Sequence, residues 1–266
     1  MPITADAALT AARLLLDHRR RVVPLDRLPE SCRPQSPDDG YVIQEALIAL
    51  RVRDDGARPI GWKIGATNAG AREMLGVDGP FYGVLLDTLS SDSPSRFAAS
   101  GMFQRVVEPE IALQIDVDLD PSAAPFDAAA IRRAVRAVLP AIEIVDTPLA
   151  AGLKSGGPSL IADGGAHGRW IKGAPAAGWR DLDLIAHRVT LAVDGAVVRE
   201  GSGGNVEGGP FAATAWLANA LAAAGSGLKA GDYVTTGTTT QPVPAAAGQT
   251  VLADFGALGT VEIRFD

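Results

Sequence analysis

Residues 108–119 alternate with a period of two. Ile111, Leu113, Ile115, Val117 and Leu119 fall on one side, and Glu108, Glu110, Ala112, Gln114, Asp116 and Asp118 fall on the other. Such alternation predicts a strand with two unlike faces. A second run, Ala141-Ile142-Glu143-Ile144-Val145, places an acid among branched apolar residues. Acidic side chains are rarely buried unless paired, and an unpaired ionised one would be very costly. Glu143 therefore lies on an exposed face or meets a cationic partner. Glu108 and Glu110, two apart on a strand, leave the same face. Their plain reading is a solvent face. Pro109 between them cannot donate to a sheet ladder, which predicts an edge or a bulge at that point.

The rest of the chain sorts around these two runs. Ala7, Ala11, Leu14 and Leu15 recur at helical spacing near the start. A second helix is expected from about Asp38, with Ile43, Leu47 and Leu50 on one face and Gly56 and Pro59 ending it. From Ile60 onward short strands alternate with turns. Asp127 is expected to cap a helix running through Val138 and stopped by Pro140, with the Glu143 strand beginning at once. Val189–Val193, Asp194-Gly195 and Ala196–Arg199 form a strong hairpin signal. Pro210 opens an alanine-rich helix that closes at Gly225, and the tail from Asp232 reads as strands. No repeat or linker divides the chain. The expectation is one α+β domain over residues 1–266, with a helical part at 1–56 and a β-rich catalytic part at 57–266.

If the strand, helix and strand around Asp127 bring their strands together, Glu108, Glu110 and Glu143 make an all-oxygen site suited to Mg2+ or Mn2+. Lys63, on a short strand between Gly61 and Gly65, could hold an anionic substrate or move a proton, or could simply protect a sheet edge. Asp163, in the loop Asp163-Gly164-Gly165-Ala166-His167-Gly168, and the threonine run 235–240 could border a ligand. His18, His167 and His187 are not placed together by anything in the sequence, so no histidine metal site is expected. Cys32 stands alone, which excludes an internal disulfide framework and a cysteine-based zinc site. Arg19-Arg20-Arg21 reads as a solvated helix end.

Composition narrows the function classes. A net charge of −7 argues against a nucleic-acid partner. No signal-peptide pattern or membrane-length apolar stretch is present, so the simplest expectation is a cytoplasmic protein without a membrane partner. The glycine run at 201–204 lacks the lysine of a phosphate-binding loop and the spacing of a dinucleotide fingerprint.

Read in order, the segments Gly61-Trp62-Lys63-Ile64-Gly65-Ala66-Thr67, Leu75-Gly76-Val77-Asp78, Glu108-Pro109-Glu110-Ile111-Ala112, Leu139-Pro140-Ala141-Ile142-Glu143-Ile144-Val145, Ile161-Ala162-Asp163, Ala215-Trp216-Leu217-Ala218, Gly231-Asp232 and Thr236-Gly237 resemble the 2-keto-4-pentenoate hydratase and 4-oxalocrotonate decarboxylase branch of the fumarylacetoacetate hydrolase superfamily. The likeness runs from about Gly40 to the C-terminus. It implies a mixed β-sheet roll flanked by helices, a homo-oligomer, and Mg2+ or Mn2+ held by Glu108, Glu110 and Glu143. It implies a catalytic or substrate-anchoring role for Lys63, and it makes Asp163 and Thr236 the expected substrate-side residues. The implied substrate is a small 2-oxo acid or 2-hydroxydienoate. Hydration is the first reading. Decarboxylation of a 2-oxo-3-enedioate is the second, acylpyruvate hydrolysis the third, and a non-catalytic oxo-acid binder the last. Two departures bear on the choice. Where such hydratases carry an acid after a proline, Pro80 is followed by Phe81, and where they carry an Asp-Asn pair the chain has Asp163-Gly164.

Overall fold

The computed structural model describes residues 2–266. Its helices are α1 (Ala5–Arg21), α2 (Pro37–Asp55), α3 (Ala69–Leu75), α4 (Ala128–Ala134), α5 (Gly157–Ala162) and α6 (Gly209–Ala223). Local signals set their ends. The Thr4 and Ser36 hydroxyls accept from Ala7 N and Asp39 N at the start of α1 and α2, and Gly56 closes α2 at φ 65°. Ile43, Leu47 and Leu50 of α2 are buried with Ala11 and Leu15 of α1 and with Leu149. The expected N-terminal helical part is therefore present, and α2 also packs against α5. Among the described residues no helix is long and apolar enough to cross a membrane.

The strands are β1 (Pro59–Gly65), β2 (Phe81–Leu86), β3 (Ser90–Asp92), β4 (Ser95–Phe97), β5 (Val106–Ile115), β6 (Val135–Val145), β7 (His167–Lys172), β8 (Arg188–Val193), β9 (Ala196–Ser202), β10 (Tyr233–Thr238), β11 (Val243–Pro244), β12 (Thr250–Asp254) and β13 (Thr260–Phe265). They form a mixed eight-stranded sheet, ordered β2-β1-β10-β5-β6-β7-β3 with β11 beside β5, and a five-stranded sheet ordered β4-β13-β12-β8-β9. The β8–β9 hairpin turns at Asp194 and Gly195, both at positive φ, as the sequence predicts.

The large sheet has two unlike faces. Ile64, Val107, Ile111, Leu113, Ile142, Ile144 and Val234 point into the main core, against Leu191, Val251 and Ile263 of the second sheet and Leu217 and Leu221 of α6. Each such side chain contributes roughly 1.5–3 kcal/mol by leaving water. The opposite face carries Lys63, Glu108, Glu110, Glu143 and Thr235, beside a separate apolar cluster of Leu85, Ala112, Leu139 and Trp170. Parity alone thus sends the polar set to one side.

Two prolines mark where the ladders give way. The expected helix through Val138 ends instead at Ala134, and Pro140 lies inside β6 rather than stopping a helix. The Asp127 cap is as expected, its carboxylate accepting from Ala130 N. The helix ends early because the residues from Val135 onward pair with β5, where branched side chains fit a buried sheet. Pro140 is tolerated because its carbonyl accepts from Gly173 N, beyond the last β6–β7 pair at Ala141 and Lys172. Its nitrogen faces that same edge, where no strand asks for a donor. The irregularity expected at Pro109 falls on the facing strand. The β10–β5 register shifts between Thr235 and Thr238, opposite Ile111, while Pro109 keeps its place opposite Ile142 and its carbonyl accepts from Thr239 N.

Candidate active site

Register brings the three glutamates together. Glu108 of β5 sits directly opposite Glu143 of β6, and Glu110 follows two residues along. One carboxylate oxygen from each lies within 4.8 Å of the other two. Glu110 and Glu143 are buried, at 0% and 1% exposure, and Glu108 is half-buried. The sequence reading of Glu108 and Glu110 as a solvent face is thereby set aside.

The β10 bulge between Thr235 and Thr238 shapes what surrounds Glu110. Gly237, at φ 105°, turns its N–H onto Glu110 Oε2 at 2.7 Å, and Thr235 Oγ1 donates to the same oxygen at 2.5 Å. A Cβ at Gly237 would stand 2.0 Å from Thr67 Oγ1, so glycine is required here for its conformation and for space. Glu110 Oε1 is buried with no hydrogen-bond partner. Burial, and then the charges of Glu143 and Glu108, push the Glu110 carboxyl well above its ordinary value, against the Thr235 and Gly237 bonds. Burial and the Glu143 charge likewise raise Glu108 to about 7, with Lys63 opposing. Burial also works to raise Glu143, but Lys63 and His167 override it and hold that carboxyl below its ordinary value.

Lys63 is buried at 3% exposure, with Nζ 3.5 Å from Glu143 Oε1 and 5.4 Å from the centre of the Phe81 ring. The ammonium thus lies between a carboxylate and an aromatic face. Gly83 and Gly165 leave room for its stem, since a Cβ on Gly165 would meet Lys63 Cε at 2.7 Å. Lys63, Phe81, Glu108, Gly165 and Gly237 line one cavity of about 190 Å³, together with the apolar Met74, Leu75, Val145, Leu153 and Leu160. Asn68, Asn205, Thr238 and Gln241 give it polar points.

The other expected residues fall differently. Asp163 is buried, and its carboxylate accepts from Arg19 Nε at 2.9 Å and Nη2 at 2.6 Å. Arg19 is therefore no solvated helix end. It pins the loop that leads to Gly165, while Arg20 and Arg21 pair with acids at the surface. Thr236 faces the core side and donates to Ile111 O, whereas its neighbour Thr235 faces the glutamates. Neither Asp163 nor Thr236 lines the cavity. Cys32 is buried among the N-terminal helices.

Two functional neighbours are found by the structure: His167, which the sequence marks only as part of a loop that could border a ligand, and Arg19, which it reads as a solvated helix end. His167 Nδ1 lies 2.8 Å from Glu143 Oε1. A register shift in the β6–β7 ladder pairs Val145 with His167 and Ile144 with Arg169, which puts the imidazole on the glutamate face. Arg19 is 144 residues from Asp163, a separation no local pattern can bridge. The only signal for Thr235 over Thr236 is strand parity, which needs the starting residue of β10.

The donor set fits a divalent cation. Hard carboxylate oxygens suit Mg2+, Mn2+ or Ca2+, one buried oxygen lacks any donor, and two carboxyls are raised by burial and by a mutual repulsion that a cation would offset. Fold and site together define a divalent-metal enzyme built on the face of a mixed sheet. No family model matches the chain. It is 32% identical to the 2-keto-4-pentenoate hydratase of Burkholderia vietnamiensis over 92% of this chain and 91% of that protein. It is 34% identical to the 2-hydroxyhexa-2,4-dienoate hydratase of Comamonas testosteroni, again over 92% and 91%. Among solved structures, 4-oxalocrotonate decarboxylase from Pseudomonas putida G7, complexed with magnesium and adipate, superimposes with a TM-score of 0.91 at 27% identity, over 99% of this chain and 98% of that one. The chain belongs to the family of 2-keto-4-pentenoate hydratases and 4-oxalocrotonate decarboxylases.

Proposed function

We propose that this chain hydrates a 2-hydroxy-2,4-dienoate bearing a short uncharged tail, with Mg2+ or Mn2+ held by Glu108, Glu110 and Glu143. The observation that carries the choice is the cavity lining. Its charged members are Lys63 and Glu108 alone, and Met74, Leu75, Val145, Leu153 and Leu160 give it a large apolar share. A substrate with one carboxylate satisfies that lining. A diacid would bring a second carboxylate into a lining that offers it neutral polar groups such as Asn68, Asn205 and Gln241 but no cation besides Lys63, where an unpaired charge is costly.

When bound, the ion supplies Lewis-acid polarisation for the carboxylate and C2 oxygen of an oxo acid. The chain's own residues do the rest. Lys63 holds a proton at Nζ inside the cavity and is the group placed to pass it to the substrate or to hold its carboxylate. The Phe81 ring covers one side of that ammonium and keeps water from it. Asp163 acts at one remove, because its pairing with Arg19 fixes the loop whose Gly165 walls the cavity. Thr236 fixes β10 through Ile111 O, which sets Thr235 and Gly237 against Glu110. The same reading takes the enzyme to be a cytoplasmic homo-oligomer, and light scattering would check the oligomeric state.

The test is turnover with each ion against 2-hydroxypenta-2,4-dienoate, 2-oxo-3-hexenedioate and acetylpyruvate. Loss of dienoate absorbance without release of carbon dioxide is expected. Carbon dioxide release from the hexenedioate at comparable kcat/KM would instead establish the decarboxylase, a reading favoured by Phe81 where related hydratases carry an acid. No turnover on any of the three would leave a binder of oxo acids.

A further inference from the structure

The Glu143 carboxylate is served unequally by two donors. His167 Nδ1 approaches Oε1 at 2.8 Å, an ordinary hydrogen-bond length, whereas Lys63 Nζ stays 3.5 Å from the same oxygen. All three groups are buried, at 1% to 4% exposure. Lys63 has no shorter carboxylate contact among the described residues. An ionised carboxylate only accepts, so the hydrogen between the two rests on Nδ1 and the lone pair on Nε2. His167 Nε2 is buried without a hydrogen-bond partner, as is Glu110 Oε1 in the same site. A buried polar atom without a partner is unfavourable, so the imidazole is poorly explained as filler. An apolar ring or branch would fill that space without the unpartnered nitrogen.

We propose that His167 is a positioning residue. By donating from Nδ1 it fixes the Glu143 carboxylate in the orientation that faces Glu108 and Glu110. It also occupies Oε1, so that Lys63 does not close onto it and keeps its ammonium for the substrate. This rests on the reading that Glu143 is an ion ligand and Lys63 acts on the substrate. Nothing in the local sequence marks it. The residue reaches Glu143 only through the register shift at Gly168, where a Cβ would stand 2.6 Å from Ile144 O and from Asp146 Cβ. Glycine at that position is what lets β7 bring His167 round to the glutamate face.

The proposal predicts a specific tautomer and a specific rescue. In the 15N spectrum of the histidine-labelled wild-type protein at neutral pH, His167 should carry its proton on Nδ1. A proton on Nε2 with a bare Nδ1 would overturn the proposal outright. In calorimetric titrations with Mn2+ alone, His167→Leu should bind the ion about 10- to 100-fold more weakly, the range usual when a partner of a metal ligand is removed. His167→Gln, whose amide can donate to the same oxygen, should recover most of that loss. Unchanged Mn2+ affinity in His167→Leu, or equal impairment in both variants, would refute positioning by hydrogen-bond donation. If His167→Leu fails to fold, the wild-type spectrum and the His167→Gln titration still decide. No substrate enters these measurements, so they stand or fall apart from the hydratase reading.

Discussion

Binding of the divalent ion should expel protons, and the structure sets how many and over which pH range. The perturbation is a change of buffer from pH 8 to pH 5.5 during titration of the metal-free protein with Mg2+. Glu108 has its carboxyl raised from 4.5 to about 7 by burial and the Glu143 charge, and an ion ligand must be deprotonated. At pH 6 roughly nine in ten Glu108 carboxyls are then protonated, so affinity should fall about tenfold per pH unit below 7 and level off above it. Glu110, raised well above its ordinary value as well, steepens the dependence toward two protons. Both shifts are upward. The stability these groups contribute to the metal-free fold is therefore fully present below their unfolded values and is lost as pH rises through about 7. For Glu108 the loss is at most on the order of 3 kcal/mol, since it is half-buried and solvent screens part of the repulsion. The assay is calorimetry in two buffers of different ionisation enthalpy, with melting curves alongside. Proton release of one to two per ion near pH 6 is expected, together with a thermal shift by Mg2+ that grows from pH 5 to 8. Affinity that stays flat from pH 5.5 to 8 with no proton uptake by the buffer would refute the reasoning.

Other perturbations have clear signs. Arg19→Met leaves Asp163 buried without its cation, which should destabilise the fold by about 3–5 kcal/mol; Arg19→Met with Asp163→Asn should recover much of it in chemical denaturation. Gly237→Ala places a Cβ 2.0 Å from Thr67 Oγ1 at φ 105°, so it should displace the N–H from Glu110 and weaken Mn2+ binding more than it lowers melting temperature. Lys63→Met should leave Mn2+ bound but reduce kcat by roughly a hundredfold or more, as for loss of a general acid or base; retained kcat would remove Lys63 from the chemistry.

How much of this was legible in the chain can be judged residue by residue. The hairpin at Asp194-Gly195, the Asp127 cap and the α2 face were legible because each depends on neighbours within a few positions. The three glutamates were legible as a set because an acid among branched residues demands a partner. The end of α4 was misjudged because Pro140 reads as a helix stop, while its actual tolerance comes from Gly173 and the short reach of β7. His167 was legible only as the imidazole of a loop that could border a site, and the role of Arg19 not at all, for the same reason. Their partners lie 24 and 144 residues away, and only the finished ladders bring them within reach.

The direct pairing of Glu108 with Glu143 has a consequence for assembly of the chain. Like charges facing each other across a ladder weaken it, so the middle of the large sheet is its least favourable place to zip before an ion arrives. Slipping β6 by one residue would send Glu143 to the apolar face and set Ile142 or Ile144 opposite Glu108. Such a misaligned sheet would offer the ion two carboxylates instead of three. An ion held by all three carboxylates would therefore favour only the correct alignment, and would proofread strand pairing as well as serve the chemistry.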